Sequence, residues 1–123
     1  MWICTSKGFL SVVADRDNKD MLLVRARIAG HIESAFPDAD IFYKKGSDYL
    51  YRTLLPRTEV AKVMAKNIEA IDYDNFKNSV KDREYHDALL GFWNIMYRLQ
   101  DKLNPFTKKK TNSAKFHNTE SAI

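Results

Sequence analysis

Cysteine is almost missing from this chain: Cys4 is the single one in 123 residues. An internal disulfide framework is therefore excluded, and so is a zinc site built from several thiolates. Cys4 lies in the short apolar run Met1–Thr5, which predicts a buried, inert thiol rather than a nucleophile. The three histidines, His31, His86 and His117, stand too far apart in sequence to give a metal-ligand spacing. Neither a structural metal nor a cofactor is expected. Glycine is also scarce, at four residues placed singly, so no glycine-rich phosphate loop exists. No apolar run approaches the ~18–20 residues of a membrane span, and the start lacks the pattern of a secretory signal. These absences predict a soluble cytoplasmic protein with no membrane role.

What remains is an ordinary globular composition, 45% hydrophobic and 29% charged. The net charge of +4 is unevenly distributed: residues 1–104 carry +1 and residues 105–123 carry +3. The basic balance is thus a property of the end of the chain, and it does not imply a basic folded surface. Residues 1–104 read as a single domain. Residues 105–123, polar, lysine-rich and aperiodic, read as a flexible basic tail.

The pattern is organised around Tyr49–Ile71. Tyr49–Leu55 is rich in aromatic, β-branched and leucine residues, which predicts a strand. Pro56 ends it, Thr58 is positioned to cap a helix, and Val60, Val63, Met64, Ile68 and Ile71 then share one helical face. Upstream, Met1–Thr5 and Phe9–Ala14 flank Ser6-Lys7-Gly8, predicting a hairpin with positive φ at the glycine. The polar segment Asp15–Asp20 lacks the spacing, glycine and terminal glutamate of an EF-hand loop and reads as a solvated turn. Met21–Ile28 alternates as a third strand, Ile28–Phe36 has the spacing of a short helix, and Asp40–Lys45 is a fourth strand with a turn at Gly46-Ser47. A short helical segment after Asp72 or Asp74 and a long helix after Asp82 complete the order. In that long helix Tyr85, Ala88, Leu89, Phe92, Met96, Leu99 and Leu103 recur for almost six turns, and Asn104-Pro105 ends it. The fold class is α+β: an antiparallel sheet of about five strands, helices packed on one face, and a long C-terminal helix. The βαββα order of Met21–Ile71 matches that of ferredoxin-like and RNA-recognition folds, a likeness of order alone.

Arginine and tyrosine supply the candidate site. With Leu22, Val24, Ala26 and Ile28 facing the helices, Arg25 and Arg27 fall on the opposite sheet face. Placing Leu50 and Leu54 in the core puts Tyr49 and Tyr51 beside those arginines and turns Arg52 inward, where an unpaired guanidinium is costly. The opposite facing brings Arg52 out to join Arg25 and Arg27. Guanidinium groups pair with phosphates or carboxylates and tyrosine rings stack on bases, so this face suits an anionic ligand. Tyrosines and arginines also pack across half-exposed sheets with no ligand involved. For acid–base chemistry the candidates are His31, His86, Asp72, Asp74 and Glu84, with His86 working beside Asp74, Asp82 or Asp87. No triad is recognisable from spacing, and no catalytic residue is assigned.

Met1-Trp2-Ile3-Cys4-Thr5 with Gly8-Phe9-Leu10, Leu23-Val24-Arg25-Ala26-Arg27, and Tyr73-Asp74-Asn75-Phe76-Lys77 with His86 and Trp93 carry a resemblance. They resemble a group of short bacterial and phage-borne proteins that share a Trp-x-x-Thr-x-x-Gly-Phe start, a Val-Arg-Ala-Arg strand and a Tyr-x-Asn-Phe-Lys segment. The resemblance covers residues 1–103. It implies no particular activity, but it draws Asn75, Lys77 and His86 into the candidate set beside Arg25, Arg27, Tyr49, Tyr51 and Arg52. The leading expectation is a small non-enzymatic binding or regulatory module with a protein partner, a host protein or defence complex if phage-derived. Nucleic-acid or nucleotide binding by the Arg/Tyr face stands second, and an enzyme using His86 with Asp74 or Asp82 third.

Overall fold

The computed structural model describes residues 1–106. The expected tail lies outside the described residues, apart from Pro105 and Phe106. Two compact units are present, residues 1–81 and a second unit beginning at Asp82.

The first unit is built on an antiparallel sheet of strands β1 (Trp2–Thr5), β2 (Gly8–Ala14), β3 (Met21–Ala26), β4 (Phe42–Tyr43) and β5 (Tyr51–Pro56). The spatial order is β1-β2-β3-β5-β4. β5 inserts antiparallel between β3 and β4, so those two run parallel with the short helix α1 (His31–Ala35) in their connection. This is a split β-α-β arrangement. Helices α2 (Arg57–Glu69) and α3 (Phe76–Ser79) follow.

One face of the sheet forms the core. Leu10, Val12, Val24, Ala26 and Leu55 pack there with Ile32 and Phe36 from α1 and Val60 from α2. The cross-strand pairs Val12↔Val24, Leu22↔Leu55 and Val24↔Thr53 fix which side chains share that face. Tyr51 therefore packs against the core, and Leu54 is exposed on the other side. The expectation that Leu50 and Leu54 face inward is thus corrected. Turning them in would carry Arg52 into an apolar layer, whereas Thr53 is buried at little cost because its hydroxyl donates to the Asp40 carbonyl at 2.8 Å.

Two local expectations also change. Gly8 does not have positive φ; that conformation belongs to Gly30 and Gly46. The first hairpin is instead held by the Thr5 hydroxyl oxygen, which accepts from the Lys7 and Gly8 N–H groups. Helix α2 begins directly after Pro56 with no side-chain cap, and Ile68 and Ile71 are exposed. Val63 and Met64 still pack on the core, so α2 leaves the sheet in its last turns.

In the second unit, α4 (Arg83–Leu103) starts at Asp82, whose carboxylate accepts from the Glu84 N–H at 3.1 Å. Tyr85 and Leu89 are buried, but Phe92, Met96, Leu99 and Leu103 of the same periodic set are exposed.

Candidate functional site

Strand register places Trp2, Ser11, Arg25, Arg52 and Phe42 in one row across all five strands, on the face opposite the core. Arg25 and Arg52 are direct cross-strand partners. Two like charges in that position repel, so their retention needs compensation. Part of it comes from Tyr49, which is buried in the segment leading into β5. The Arg25 guanidinium lies 4.4 Å from the Tyr49 ring centroid and that of Arg27 lies 4.2 Å away. Both are within cation–π range.

Hydrogen bonds fix the rest. Arg25 donates through Nη2 to the Ser11 hydroxyl at 2.8 Å. Arg52, 8% exposed, donates through Nε to the Tyr49 carbonyl at 3.1 Å and through Nη2 to the Ser47 hydroxyl at 3.4 Å. The Ser47 hydroxyl lies 2.9 Å from the Lys44 carbonyl and 2.7 Å from that of Tyr49 and shares its one proton between them, tying the β4–β5 turn over Arg52. Positive φ at Gly46 makes that turn possible. Nε of Arg25 is buried with no partner. Among the described residues, no carboxylate reaches any of the three guanidinium groups. Arg27 is exposed and Arg25 half-buried, so the cluster opens to solvent on their side. The arrangement is a concentrated positive charge with no carboxylate partner among the described residues.

Of the eight sequence candidates, the fold brings together Arg25, Arg27, Tyr49 and Arg52. Tyr51 is on the core side, where it makes an edge contact with Tyr43 at 5.4 Å. Asn75 is spent on structure: its side chain caps α3 by accepting from the Asn78 N–H. Lys77 is half-buried on α3. His86 sits on α4 with Nδ1 3.4 Å from the Asp87 carboxylate, while the Asp82 carboxylate serves as helix cap. His31 is buried and its Nδ1 accepts from the Phe9 N–H at 3.0 Å, a structural role. Cys4 is exposed rather than buried, though partial burial pushes its thiol pKa up from the ordinary value. β1 is an edge strand with neighbours on one side only, which is why its apolar run did not imply burial.

Sequence reasoning missed Ser11 and Ser47, which orient the arginines, and Trp2 and Phe42, exposed at the two ends of the row. No group of three metal-ligating side chains occurs among the described residues. No helix among them is long and apolar enough to cross a membrane. The chain matches no family model, no curated protein and no solved structure.

Proposed function

We propose that this protein is a small binding module that takes a phosphate-bearing ligand, single-stranded nucleic acid, on the outer face of its sheet. The observation that carries this reading is the gathering of Arg25, Arg27 and Arg52 about Tyr49 with no carboxylate beside them among the described residues. A backbone phosphate would contact Arg27 and Arg25 from solvent, while buried Arg52 stands behind as a fixed positive charge. Trp2 and Phe42 lie four strand spacings apart, about 19 Å. That distance suits a strand whose phosphates cross the arginines and whose bases stack on the exposed rings at either end. An anionic strand is preferred over the protein partner expected from sequence because the uncompensated charge is a specific recognition feature.

The test is fluorescence anisotropy of a labelled single-stranded oligonucleotide titrated with the full chain at several salt concentrations. Arg25→Ala and Arg27→Ala weaken binding and each lowers the salt slope by about one. Circular dichroism shows both variants folded. If both bind like wild type while a chain ending at Phe106 loses all binding, the sheet face is not the site.

A further inference from the structure

We propose that the arginine pair seated on Tyr49 reads the terminal phosphate monoester of a single strand rather than the diesters along it. This rests on the outer sheet face being the nucleic-acid site and specifies which group of the ligand that site selects. The guanidinium groups of Arg25 and Arg27 lie against one ring, 4.4 Å and 4.2 Å from the Tyr49 centroid. Arg52 is tied to the same residue, donating to the Tyr49 carbonyl at 3.1 Å. One residue thus gathers three positive charges at one point, and no carboxylate among the described residues offsets them. Donors remain available there. Arg27 makes no hydrogen bond among the described residues, and Ser11 occupies only Nη2 of Arg25.

Charge decides between the two kinds of phosphate. A diester brings one negative charge, whereas a monoester brings about 1.5 to 2 near neutral pH together with three strong acceptor oxygens. Reading a run of diesters calls for guanidinium groups spaced along the backbone. Here two share a ring and the third is buried, so the cluster is a single focus and not a track. Drawing Arg25 and Arg27 apart to follow a backbone would give up a cation–π contact, while one dianion bridging them keeps both. A nucleic acid suits the site better than a phosphorylated peptide because exposed rings stand in the same row. Trp2 and Phe42 each lie two strand spacings, about 10 Å, from Arg25, and bases stack on such rings. A strand held by its end leaves the cluster toward one of them.

The test is anisotropy of the full chain with three internally labelled oligonucleotides of one sequence, carrying a 5′-phosphate, a 3′-phosphate or hydroxyls at both ends. At least one phosphorylated strand binds about tenfold tighter than the hydroxyl-ended strand, and which one does so gives the polarity. In Arg27→Ala, an exposed position, that ratio falls toward one; in a chain ending at Phe106 it persists. Phenyl phosphate displaces the strand at concentrations where its methyl diester does not. Equal affinity of all three strands, with Arg27→Ala weakening each alike, overturns the end-reading and leaves the sheet face as a nucleic-acid site. Absence of binding by all three sinks both readings. A preference that survives Arg27→Ala, or that vanishes in the shortened chain, also overturns the proposal. So does a phosphoserine peptide that binds tighter than either phosphorylated strand.

Discussion

At Gly8 the first hairpin has room for a hydrogen and nothing more. A Cβ there would stand 2.9 Å from Cγ of His31 and 3.1 Å from its Cα. The close approach lets the imidazole reach the neighbouring Phe9 N–H, so glycine and histidine form one device joining β2 to α1. Gly8→Ala should therefore destabilise the protein by about 1–3 kcal/mol, read as a lower urea midpoint with unchanged slope. An unchanged midpoint would show that the ring moves freely. The sequence pointed to glycine at this position but for the wrong reason, because a turn glycine and a contact glycine look alike until the distant residue is known. Cys4 raises a different question at the same scale. Its thiol pKa is shifted up, so less thiolate is present at a given pH than for a free cysteine. Its alkylation rate by iodoacetamide should rise with pH along a curve displaced upward from that of free cysteine. A curve displaced downward would contradict the shielding of the sulfur.

Among the elements, strands and helices were legible wherever period and terminators agreed. β3 carries alternation, α4 helical spacing and β2 a compact apolar run, and Asp82 and Asn104 mark the ends of α4 as read from sequence. β4 was harder: only Phe42 and Tyr43 pair, where six residues had strand-like composition. Helix α2 shows why periodicity overstates burial. Five apolar residues share its face, yet the sheet beneath reaches only Val60, Val63 and Met64. Val60→Ala should cost about 2 kcal/mol, whereas Ile68→Lys should change stability by less than about 0.5 kcal/mol. Comparing the two urea curves checks both statements. Equal losses would mean that the last turns of α2 carry load after all.

For the whole molecule, the α+β class followed from element order, but the pairing of β5 between β3 and β4 did not. That pairing is non-local, and it alone decides that Arg25 faces Arg52. The two facings of β5 differed by one residue of register, which moves every side chain to the other side. Hydrophobicity favoured Leu50 and Leu54 inside; the hydrogen bond available to Thr53 on the core face, and the Tyr49 carbonyl and Ser47 hydroxyl that Arg52 finds on the other, decided otherwise. The serine partners could not have been foreseen, because their only signal is proximity in space. Charge was better read: with residues 1–104 nearly neutral, the arginine cluster is a local concentration rather than part of a broadly basic surface.

The brevity of β4 has a consequence for solution behaviour. A sheet invites foreign strands along any long border of unmatched amides and carbonyls, and here one border is only Phe42 and Tyr43 before the backbone turns away at Gly46. An incoming strand would find too few sites to zip onto, so growth of fibrils from that side is frustrated from the outset.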